Sequence, residues 1–488
     1  MSLTQSVDLL AIAPPMLTML GALVVLALDL LLPRGLVLAR ALPALGALGL
    51  AALSELALAS GTRATFCVPG PGAPACSFVA DRLTLVIGLV VLAGAFIVGL
   101  LSTRTVVEDN LPAGEHFALM MFSVTGALTL AGARDLLTLI VALETVSLPV
   151  YAMVGLRRDD RRSGEAALKV FLVSVAATAV TILGAALVYG TTGAVHLSRI
   201  AAALAQPSPA ADARALAVVL VVAGFAFKVA VVPFHGWVPD TYTGAPLPVA
   251  AYLSVVSKAA GVAGLVLLLD LGLAPAAGTW SPILAVLAAA TMTVGNIFAL
   301  RQGDAVRLLA WSSVAQAGFI VAPLGAVGAG GRGAPSALAA SIGYLAAYAV
   351  VNLGAFSVVT VLARDGAGTA LAGLRGLGRR EPFAAVALAF FLLCLAGLPP
   401  GLVGLFAKVR VFGPPVQSGV GWLAVVMAVN VVLGLGYYLR WVALLFSRGG
   451  PDAQPRRVGT ADGLAVALAL AGAVVFSVLP GALFGLAG

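Results

Sequence analysis

The charged residues that could do chemistry in this sequence lie inside long apolar segments. All four lysines, Lys169, Lys228, Lys258 and Lys408, are found there, and so is Glu144. An ionised side chain at the centre of a membrane helix costs about 2.5–3.5 kcal/mol, so such residues are rare and usually mark a route for ions or protons. The sequence therefore predicts a proton path through a membrane.

The choice of cation favours proton transfer. The loop cations are arginines, whereas every lysine stands within a predicted helix. Arginine stays protonated in proteins, but a buried lysine can release its proton. A buried residue that must gain and lose a proton is therefore expected to be a lysine.

Glu144 belongs to a helical pattern that could form a proton-carrying pair. In LETVSLPVY, Ser147 and Tyr151 follow at spacings that place all three side chains on one helix face, and Pro149 bends the helix. A pair of Glu144 and Lys228 could move a proton when a neighbouring charge changes. The alternative is a static ion pair that only orients helices. The further lysines along the chain favour the first interpretation.

Proline interrupts two of the predicted helices beside lysines. Lys228 lies five residues before Pro233, and Lys408 follows the pair Pro399-Pro400. A helix broken inside a membrane frees backbone carbonyls and admits water. Transporters place ion sites at such breaks, so both lysines are expected to lie at functional positions.

The remaining polar candidates are less specific. Lys258 has Ser254 one turn away and small residues after it, which predicts a hydrated, close-packed position. Lys169 lies near a helix start and could instead extend to the membrane surface. His235 could relay protons or simply form a hydrogen bond in a loop. Asp240 is interpreted as a turn or cap residue.

Composition predicts how these residues are held in place. The chain has 488 residues, 61% hydrophobic and 10% charged, with a mean hydropathy of +1.09. Soluble domains average about 45–50% apolar and 25% charged residues, and a bilayer span needs about 20 apolar residues. About 14 stretches meet that length criterion, which predicts an all-α polytopic membrane protein without a soluble catalytic domain.

The helices are expected to form four regions. Helices 1–3 belong to region 1–110, five helices to a first block 111–275, five to a second block 276–447, and one to region 448–488. The breaks in helices 7 and 12 occupy corresponding places in the two blocks, which predicts an antiporter-like pair of inverted repeats. The predicted helices cover 9–32, 36–59, 82–102, 114–132, 135–156, 165–189, 213–233, 246–271, 280–300, 304–326, 336–363, 383–412, 419–446 and 461–484.

The loop arginines predict the orientation in the membrane. Most of them lie in odd-numbered connections between helices, as do Arg157 and Arg158, and cytoplasmic loops carry such an excess. Both termini are therefore expected outside the cytoplasm of a bacterial cell, together with loop 60–81. Cys67 and Cys76 in this loop could form a disulfide in an oxidising compartment, or could be free thiols.

Several classes of function are excluded or disfavoured. The net charge of +8 comes from scattered loop arginines, which fits membrane orientation and not nucleic-acid binding. The three cysteines lack the spacing of a zinc or iron–sulfur site. GAGGRG at 328–333 lies between predicted helices and does not follow a strand as a phosphate-binding loop would. We therefore expect no cofactor in this chain.

Five motifs carry a specific family resemblance. FKVAVVPFHGWVPDTYTGAPLPVAAYLSVVSKAAG closely resembles the helix 7–8 signature of subunit N of proton-pumping NADH-quinone oxidoreductase, respiratory complex I. ALETVSLPVYAMVG, NIFALRQGDAVRLLAWSSVAQAGF, FLLCLAGLPPGLVGLFAKVRVF and NVVLGLGYYLR are similar to its other helices in order. The resemblance covers about 115–445.

The resemblance implies 14 helices, two inverted five-helix repeats and an antiporter-like proton channel. It implies that Glu144 and Lys228 form the helix 5–7 pair, that Lys258 is the central lysine and that Lys408 serves the second repeat on the external side. Lys169 and His235 also fall on polar positions of the family. NADH, FMN, iron–sulfur clusters and quinone are expected in partner subunits, and the partners are other membrane subunits, including neighbouring antiporter-like ones, and the lipid bilayer.

The sequence departs from the family at two places. Gln316 stands in SSVAQAGF where the family often has histidine, and Val306 precedes Arg307 where the family often has lysine or arginine. Glutamine cannot carry a proton but can hydrogen-bond a chain of waters. These departures put a histidine relay in helix 10 in doubt, and they leave the principal charges in place.

The leading prediction is a proton-translocating subunit of the enzyme NADH-quinone oxidoreductase with no redox centre of its own. The related alternatives are a subunit of a multi-subunit sodium/proton antiporter and a subunit of a membrane hydrogenase. A non-pumping structural subunit is disfavoured because the intramembrane charges are retained. A stand-alone secondary transporter is disfavoured because the sequence shows no substrate-sized polar pocket.

Overall fold

The structure is a computed structural model of the whole chain, and the description covers residues 7–33, 35–68, 74–328, 333–364, 368–449 and 458–481. The predicted loop at 329–332, the loop cations Arg34, Arg332, Arg456 and Arg457, and the end of the last predicted helix at 482–484 lie outside these residues.

The N-terminal region packs three helices with a small hairpin. The hairpin replaces part of the predicted loop 60–81: its strands pair antiparallel with Cys67 opposite Cys76, and a disulfide joins the two cysteines. Arg134 ties the hairpin to the helices, because its guanidinium donates to Asp81 at 2.6 Å. The elements are α1 (Ala13–Leu31), α2 (Leu38–Ala57), β1 (Arg63–Val68), β2 (Ala75–Ala80) and α3 (Arg82–Glu108).

The first block contains the first helix break. The predicted seventh helix ends early, at Val229, and a short helix follows the break. The predicted eighth helix is divided by a π-helical turn, Leu253–Ser257, and ends in a second one, Leu268–Gly272. The helices are α4 (Ala113–Gly132), α5 (Leu136–Val154), α6 (Arg161–Thr192), α7 (Leu197–Leu204), α8 (Ala211–Val229), α9 (Trp237–Gly244), α10 (Leu247–Tyr252) and α11 (Lys258–Leu267).

The second block contains the other break. The predicted twelfth helix, 383–412, is two helices separated by Gly397–Gly401. The helices of this block and of the C-terminal region are α12 (Ala277–Leu300), α13 (Ala305–Val321), α14 (Ala334–Leu362), α15 (Leu377–Arg380), α16 (Pro382–Ala396), α17 (Leu402–Gln417), α18 (Gly421–Phe446) and α19 (Thr460–Val478).

Local sequence explains where several helices begin. Asp81, Asp135, Asp160 and Asp304 each precede a helix, and each carboxylate accepts a hydrogen bond from a backbone N–H of the first turn. These side chains satisfy donors that a helix start leaves unpaired. A capping aspartate therefore fixes the starts of α3, α5, α6 and α13.

Both breaks use a left-handed residue and a capping side chain from a distant helix. Ala230 (φ 67°) ends α8, and Gly397 (φ 82°) ends α16. Thr291 of α12 accepts from the Val232 N–H at 3.0 Å, and Ser477 of α19 accepts from the Val403 N–H at 3.1 Å. Backbone groups freed inside a membrane thus find partners within the protein.

The distribution of apolar residues fits a membrane protein. Helices α13 and α14 are buried along almost their whole length, whereas α1, α6, α18 and α19 present exposed apolar faces. Within the described residues, eleven helical segments are long and apolar enough to cross a membrane. The predicted all-α polytopic membrane fold is confirmed, and each predicted helix overlaps helical residues.

Candidate functional site

The amine of Lys228 lies in a shell of hydroxyl groups between α5, α6 and α8. It donates to Ser147 at 2.6 Å, to Tyr151 at 2.8 Å and to Ser174 at 2.9 Å. Tyr151 and Ser174 also hydrogen-bond to each other. An ammonium group has three donors, so these hydroxyls satisfy the protonated side chain completely.

Glu144 lies just outside this shell. Its carboxylate is 3.8 Å from the Lys228 amine and accepts a hydrogen bond from Thr178 at 2.7 Å. The Glu144 side chain is 26% exposed, whereas that of Lys228 is 8% exposed. The pair therefore joins the outer surface of α5 to the interior of the first block, and it acts through charge attraction because the amine's donors are used elsewhere.

Lys258 lies at the centre of the chain, buried at the start of α11. Its amine donates to the hydroxyl and to the carbonyl of Ser313 on α13, at 2.5 Å each. Tyr348 of α14 donates to the same hydroxyl at 2.8 Å. Ser254, predicted to accompany this lysine, instead accepts from Asn352 at 2.8 Å. Lys258 is thus linked to the second block through a serine and a tyrosine.

Lys228 and Lys258 lie on helices that are in close contact. A Cβ atom added at Gly261, three residues after Lys258, would lie 3.1 Å from the Cβ of Lys228. This glycine lets α8 and α11 approach closely. The structure thereby brings the Lys228 shell next to the helix that carries Lys258.

Gln316 occupies the next polar position in the second block. Its amide accepts from Tyr344 at 2.5 Å and donates to Tyr438 at 3.2 Å, and Tyr438 hydrogen-bonds to Ser312. A small cavity of about 20 Å³ adjoins Gln316 and Tyr348 and is also lined by α16 and α17, the helices on either side of the second break. A cavity needs about 10–15 Å³ to hold a water molecule, so this space has room for one.

Lys408 reaches back across the second break. Its amine donates to the carbonyl of Ala396, the last residue of α16, at 2.5 Å, and it lies 5.9 Å from the centre of the Phe319 ring. Within the described residues it has no carboxylate partner. The negative end of the α16 dipole therefore serves as its counter-charge.

Lys169 lies on the surface that carries the arginine-rich connections. It pairs with Glu165 at 2.7 Å and with Asp240 at 3.0 Å, and Arg307 lies 3.9 Å from Asp240. The interpretation of Asp240 as a turn or cap residue is wrong, because it lies inside α9 and joins α6 to α13. These residues line an open cavity of about 640 Å³.

His235 lies in the first break and is separate from the lysines. Its ring packs against Trp311, with the ring centres 5.5 Å apart. Within the described ranges it makes no hydrogen bond to a lysine. The structure thus brings Glu144 and Lys228 together and leaves His235 beside the backbone of the break.

Sequence reasoning did not identify the hydroxyl residues that connect the charges. Ser174, Thr178, Ser313, Tyr348 and Tyr438 all belong to membrane-length apolar helices and carry buried hydrogen bonds. A hydroxyl group in a membrane helix can hydrogen-bond to a backbone carbonyl of its own helix. The sequence alone therefore does not show which hydroxyls bond to a charged residue. In the part of the chain that is described, His, Cys, Asp and Glu form no group of three that could hold a metal ion.

Comparisons with known proteins show what the chain is similar to. Residues 133–434 match the family described as NADH:quinone oxidoreductase/Mrp antiporter, TM. NADH-quinone oxidoreductase subunit N 2 of Streptomyces griseus is 53% identical over 94% of this chain and 86% of its own length. Subunit N of Salinispora tropica is 50% identical over 93% of this chain and 88% of its own length.

Solved structures show the same fold. A chain of respiratory complex I from Thermus thermophilus superposes with a TM-score of 0.79 at 31% identity, covering 97% of this chain and 98% of that one. A chain of the Mrp complex from a Dietzia species superposes with a TM-score of 0.84, covering 98% and 96%. Its identity of 22% shows a shared fold alone.

Proposed function

The chain belongs to the subunit N family of NADH-quinone oxidoreductase, and we propose that protons cross it along a line from Glu144 through Lys228 and Lys258 to Lys408. It is a multi-pass membrane subunit of that enzyme complex and assembles with other membrane subunits. The observation that carries the proposal is the series of buried lysines: Lys228 and Lys258 donate to hydroxyls that can pass a proton, and Lys408 donates to the Ala396 carbonyl at the second break.

The Glu144–Lys228 pair is the proposed switch of this line. At about 4 Å, two unit charges attract each other by on the order of 4 kcal/mol at an effective dielectric constant of about 20. Separation of the pair, or protonation of the carboxylate, removes that attraction and makes proton release from Lys228 easier. Ser147, Tyr151 and Ser174 can pass the released proton, because each hydroxyl both donates and accepts.

Lys258 is the proposed link between the two blocks. A proton on this amine can pass through Ser313 to Tyr348, because the hydroxyl of Ser313 contacts both. Gln316 orients the tyrosines and a water in the adjoining cavity, and Lys408 receives the proton at the second break. In this mechanism Gln316 positions a water and carries no proton itself.

The two blocks are proposed to be inverted repeats on either side of Lys258. Each contains a helix that stops at a left-handed residue, Ala230 or Gly397, and resumes as a second helix. Each break has a lysine beside it. The proposal divides the chain into an N-terminal region 1–110, the blocks 111–275 and 276–447, and a C-terminal region 448–488.

We further propose that the arginine-rich connections face the cytoplasm and that both termini lie outside it. Residues of odd-numbered connections pair with one another, as Asp109 does with Arg157. Residues of even-numbered connections also pair with one another, as Asp81 does with Arg134. A membrane-impermeant maleimide should label Gln206→Cys in intact cells and should label Asp159→Cys only after the membrane is opened. The reverse pattern would invert this topology.

The redox cofactors are proposed to reside in the partner subunits. NADH, flavin, iron–sulfur clusters and quinone would then supply the energy, and this chain would carry only protons. The coupling predicts that a defect here lowers proton transport more than it lowers assembly of the complex.

The decisive test replaces Glu144 in the assembled complex. Glu144→Gln keeps the shape of the side chain but removes its charge, so NADH-driven acidification of inverted membrane vesicles should fall at least about tenfold, the effect of about 1.4 kcal/mol. Glu115→Gln is the matched control, because Glu115 is an exposed carboxylate paired with Arg158 away from the line. Normal acidification by Glu144→Gln, or by Lys228→Ala, would refute the assignment of this pair.

A further inference from the structure

Arg410 is an exposed cation on α17, the helix that follows the second break. It follows Lys408 by two residues, so that Lys408 points into the protein while Arg410 points outward. Within the described residues Arg410 forms no ion pair or hydrogen bond. A basic residue near an anionic membrane surface is attracted to it by about 1 kcal/mol, so an anionic group is expected to neutralise Arg410.

That anion does not come from the helices around Arg410. The sequence has no Asp or Glu between Glu381 and Asp452, and none between Asp304 and Asp365. These ranges include α14 and α17, the two helices that line the surface around Arg410. Neither of these two helices can therefore supply the counter-charge.

The surface around Arg410 is a groove with a polar end and an apolar end. Its volume is about 450 Å³. Ser336, in the first turn of α14, and Gln417, the last residue of α17, line the polar end, whereas Phe406 and Val409 line the apolar end. Val409 is 64% exposed and Phe406 is 37% exposed, so the apolar end is open to the surroundings.

The position of Arg410 along α17 indicates its depth in the bilayer, because broken helices of transporters are interrupted near the midplane. At 1.5 Å per residue it lies about 13 Å beyond the break at Gly401 and about 10 Å before Gln417. Half of the hydrocarbon layer is about 15 Å thick. With the break near the bilayer centre, the long arginine side chain extends its guanidinium to the level of the lipid headgroups.

We propose that this groove binds an anionic phospholipid, with its phosphate on Arg410 and an acyl chain along Val409 and Phe406. A guanidinium binds phosphate oxygens in a bidentate manner, and Ser336 and Gln417 supply hydrogen-bonding groups at the polar end of the groove. A lipid with a net negative charge neutralises Arg410, whereas a zwitterionic lipid brings a cation of its own. The depth of the guanidinium favours a headgroup over a carboxylate on a neighbouring helix.

The test compares two lipid probes on the assembled complex in phosphatidylcholine vesicles. The probes are phosphatidylglycerol and phosphatidylcholine with the same photoactivatable acyl chain, and mass spectrometry counts adducts on residues 402–417. The phosphatidylglycerol probe should label this segment about fivefold more strongly, the effect expected of one basic residue at a membrane surface. Arg410→Gln should abolish that preference, and Arg410→Lys should retain part of it.

The control is Arg440→Gln, which removes an exposed arginine of α18 that contacts the carbonyl of Leu300 and does not line the groove. This variant should leave the labelling of 402–417 unchanged. Equal labelling by the two probes, or an unchanged preference in Arg410→Gln, overturns the proposal. A cross-link to another subunit from a photoreactive residue at Val409 also overturns it, because a protein would then cover the groove.

Discussion

The two lysines beside the helix breaks have different electrostatic surroundings. Lys228 has the Glu144 carboxylate at 3.8 Å and donates to three hydroxyls. Lys408 donates to a single backbone carbonyl, that of Ala396, and lies near an aromatic ring. The first block thus balances its cation with a side chain that can itself be protonated, and the second block balances it with a fixed helix end.

The sequence explains this difference. From Trp280 to Gly450 the sequence has only the carboxylates Asp304, Asp365 and Glu381. Asp304 and Glu381 lie in connections between helices, and Asp365 lies outside the described residues. The second block therefore cannot form an ion pair inside the membrane from its own residues. We conclude that similar helix breaks can differ in the counter-charge of their lysine. A carboxylate beside the lysine can lose its charge by protonation, whereas the end of a helix dipole cannot.

The largest expected effect concerns the ion pair itself. Lys228→Met leaves Glu144 without its counter-charge, so adding Glu144→Gln should restore about 1–3 kcal/mol of the free energy of unfolding. Lys408→Met leaves no unpaired carboxylate behind, so its effect on the free energy of unfolding and that of Glu144→Gln should simply add. Double-mutant cycles on the purified chain in lipid–detergent micelles measure both. Additivity of the first pair would remove the contrast between the blocks.

The left-handed residues provide the next contrast. Gly397→Ala should destabilise the chain by about 1–2 kcal/mol, because a Cβ in this conformation is strained and would lie 2.8 Å from the side chain of Lys408. Ala230→Gly removes that strain and should be neutral or stabilising by up to about 1 kcal/mol. Thermal unfolding of the two variants measures this difference. Vesicle acidification should fall in Gly397→Ala, which displaces the side chain of Lys408, and should be unchanged in Ala230→Gly, which displaces no lysine.

The capping side chains at the breaks should have smaller and similar effects. Thr291→Val leaves the Val232 N–H without its acceptor, and Ser477→Ala does the same to the Val403 N–H. Each change should cost about 1 kcal/mol, the net value of one hydrogen bond. Hydrogen exchange should accelerate at residue 232 in the first variant and at residue 403 in the second. Acceleration at both amides in each variant would show that the breaks are not independent.

The smallest effect is expected where the two blocks meet at the surface. Asp240→Asn weakens exposed pairs with Lys169 and Arg307, which should contribute less than about 1 kcal/mol to stability. Salt screens such pairs, so the difference between this variant and the wild type should shrink at high ionic strength. Thermal unfolding at low and high salt measures this difference, with Glu115→Gln, which weakens another exposed pair, as the reference. A salt-independent defect would indicate a role for Asp240 beyond surface charge.

The membrane fold and the charged residues could be predicted from the sequence because both depend on composition along the chain. Apolar runs located the helices, and the rarity of charge inside them identified Glu144 and the lysines. The prolines located both breaks, although the first begins earlier than predicted, at Ala230, because its α8 already ends in a left-handed residue.

The connections between the charges could not be predicted, because they depend on which helix faces come together. Ser313 contacts Lys258 across 55 residues of sequence, and Ser174 contacts Lys228 across 54. Asp240 looked like a turn residue because prolines surround it, and only the packing of α6 and α13 around α9 gives it two cationic partners. Long-range packing has no local signature in a single sequence.

The lack of a carboxylate beside Lys408 also has an electrical consequence. One unit charge that crosses a membrane exchanges about 2.3 kcal/mol with a transmembrane voltage of 100 mV. A proton that moves between Lys228 and Glu144 travels only about the 3.8 Å that separates them and crosses little of that voltage, whereas a proton that leaves Lys408 finds no carboxylate nearby among the described residues and must move further through it. The occupancy of Lys408 should therefore depend more strongly on the voltage against which the complex works. Acidification rates at imposed diffusion potentials, compared between Lys408→Met and wild-type vesicles, would show whether this lysine makes the subunit voltage-sensitive.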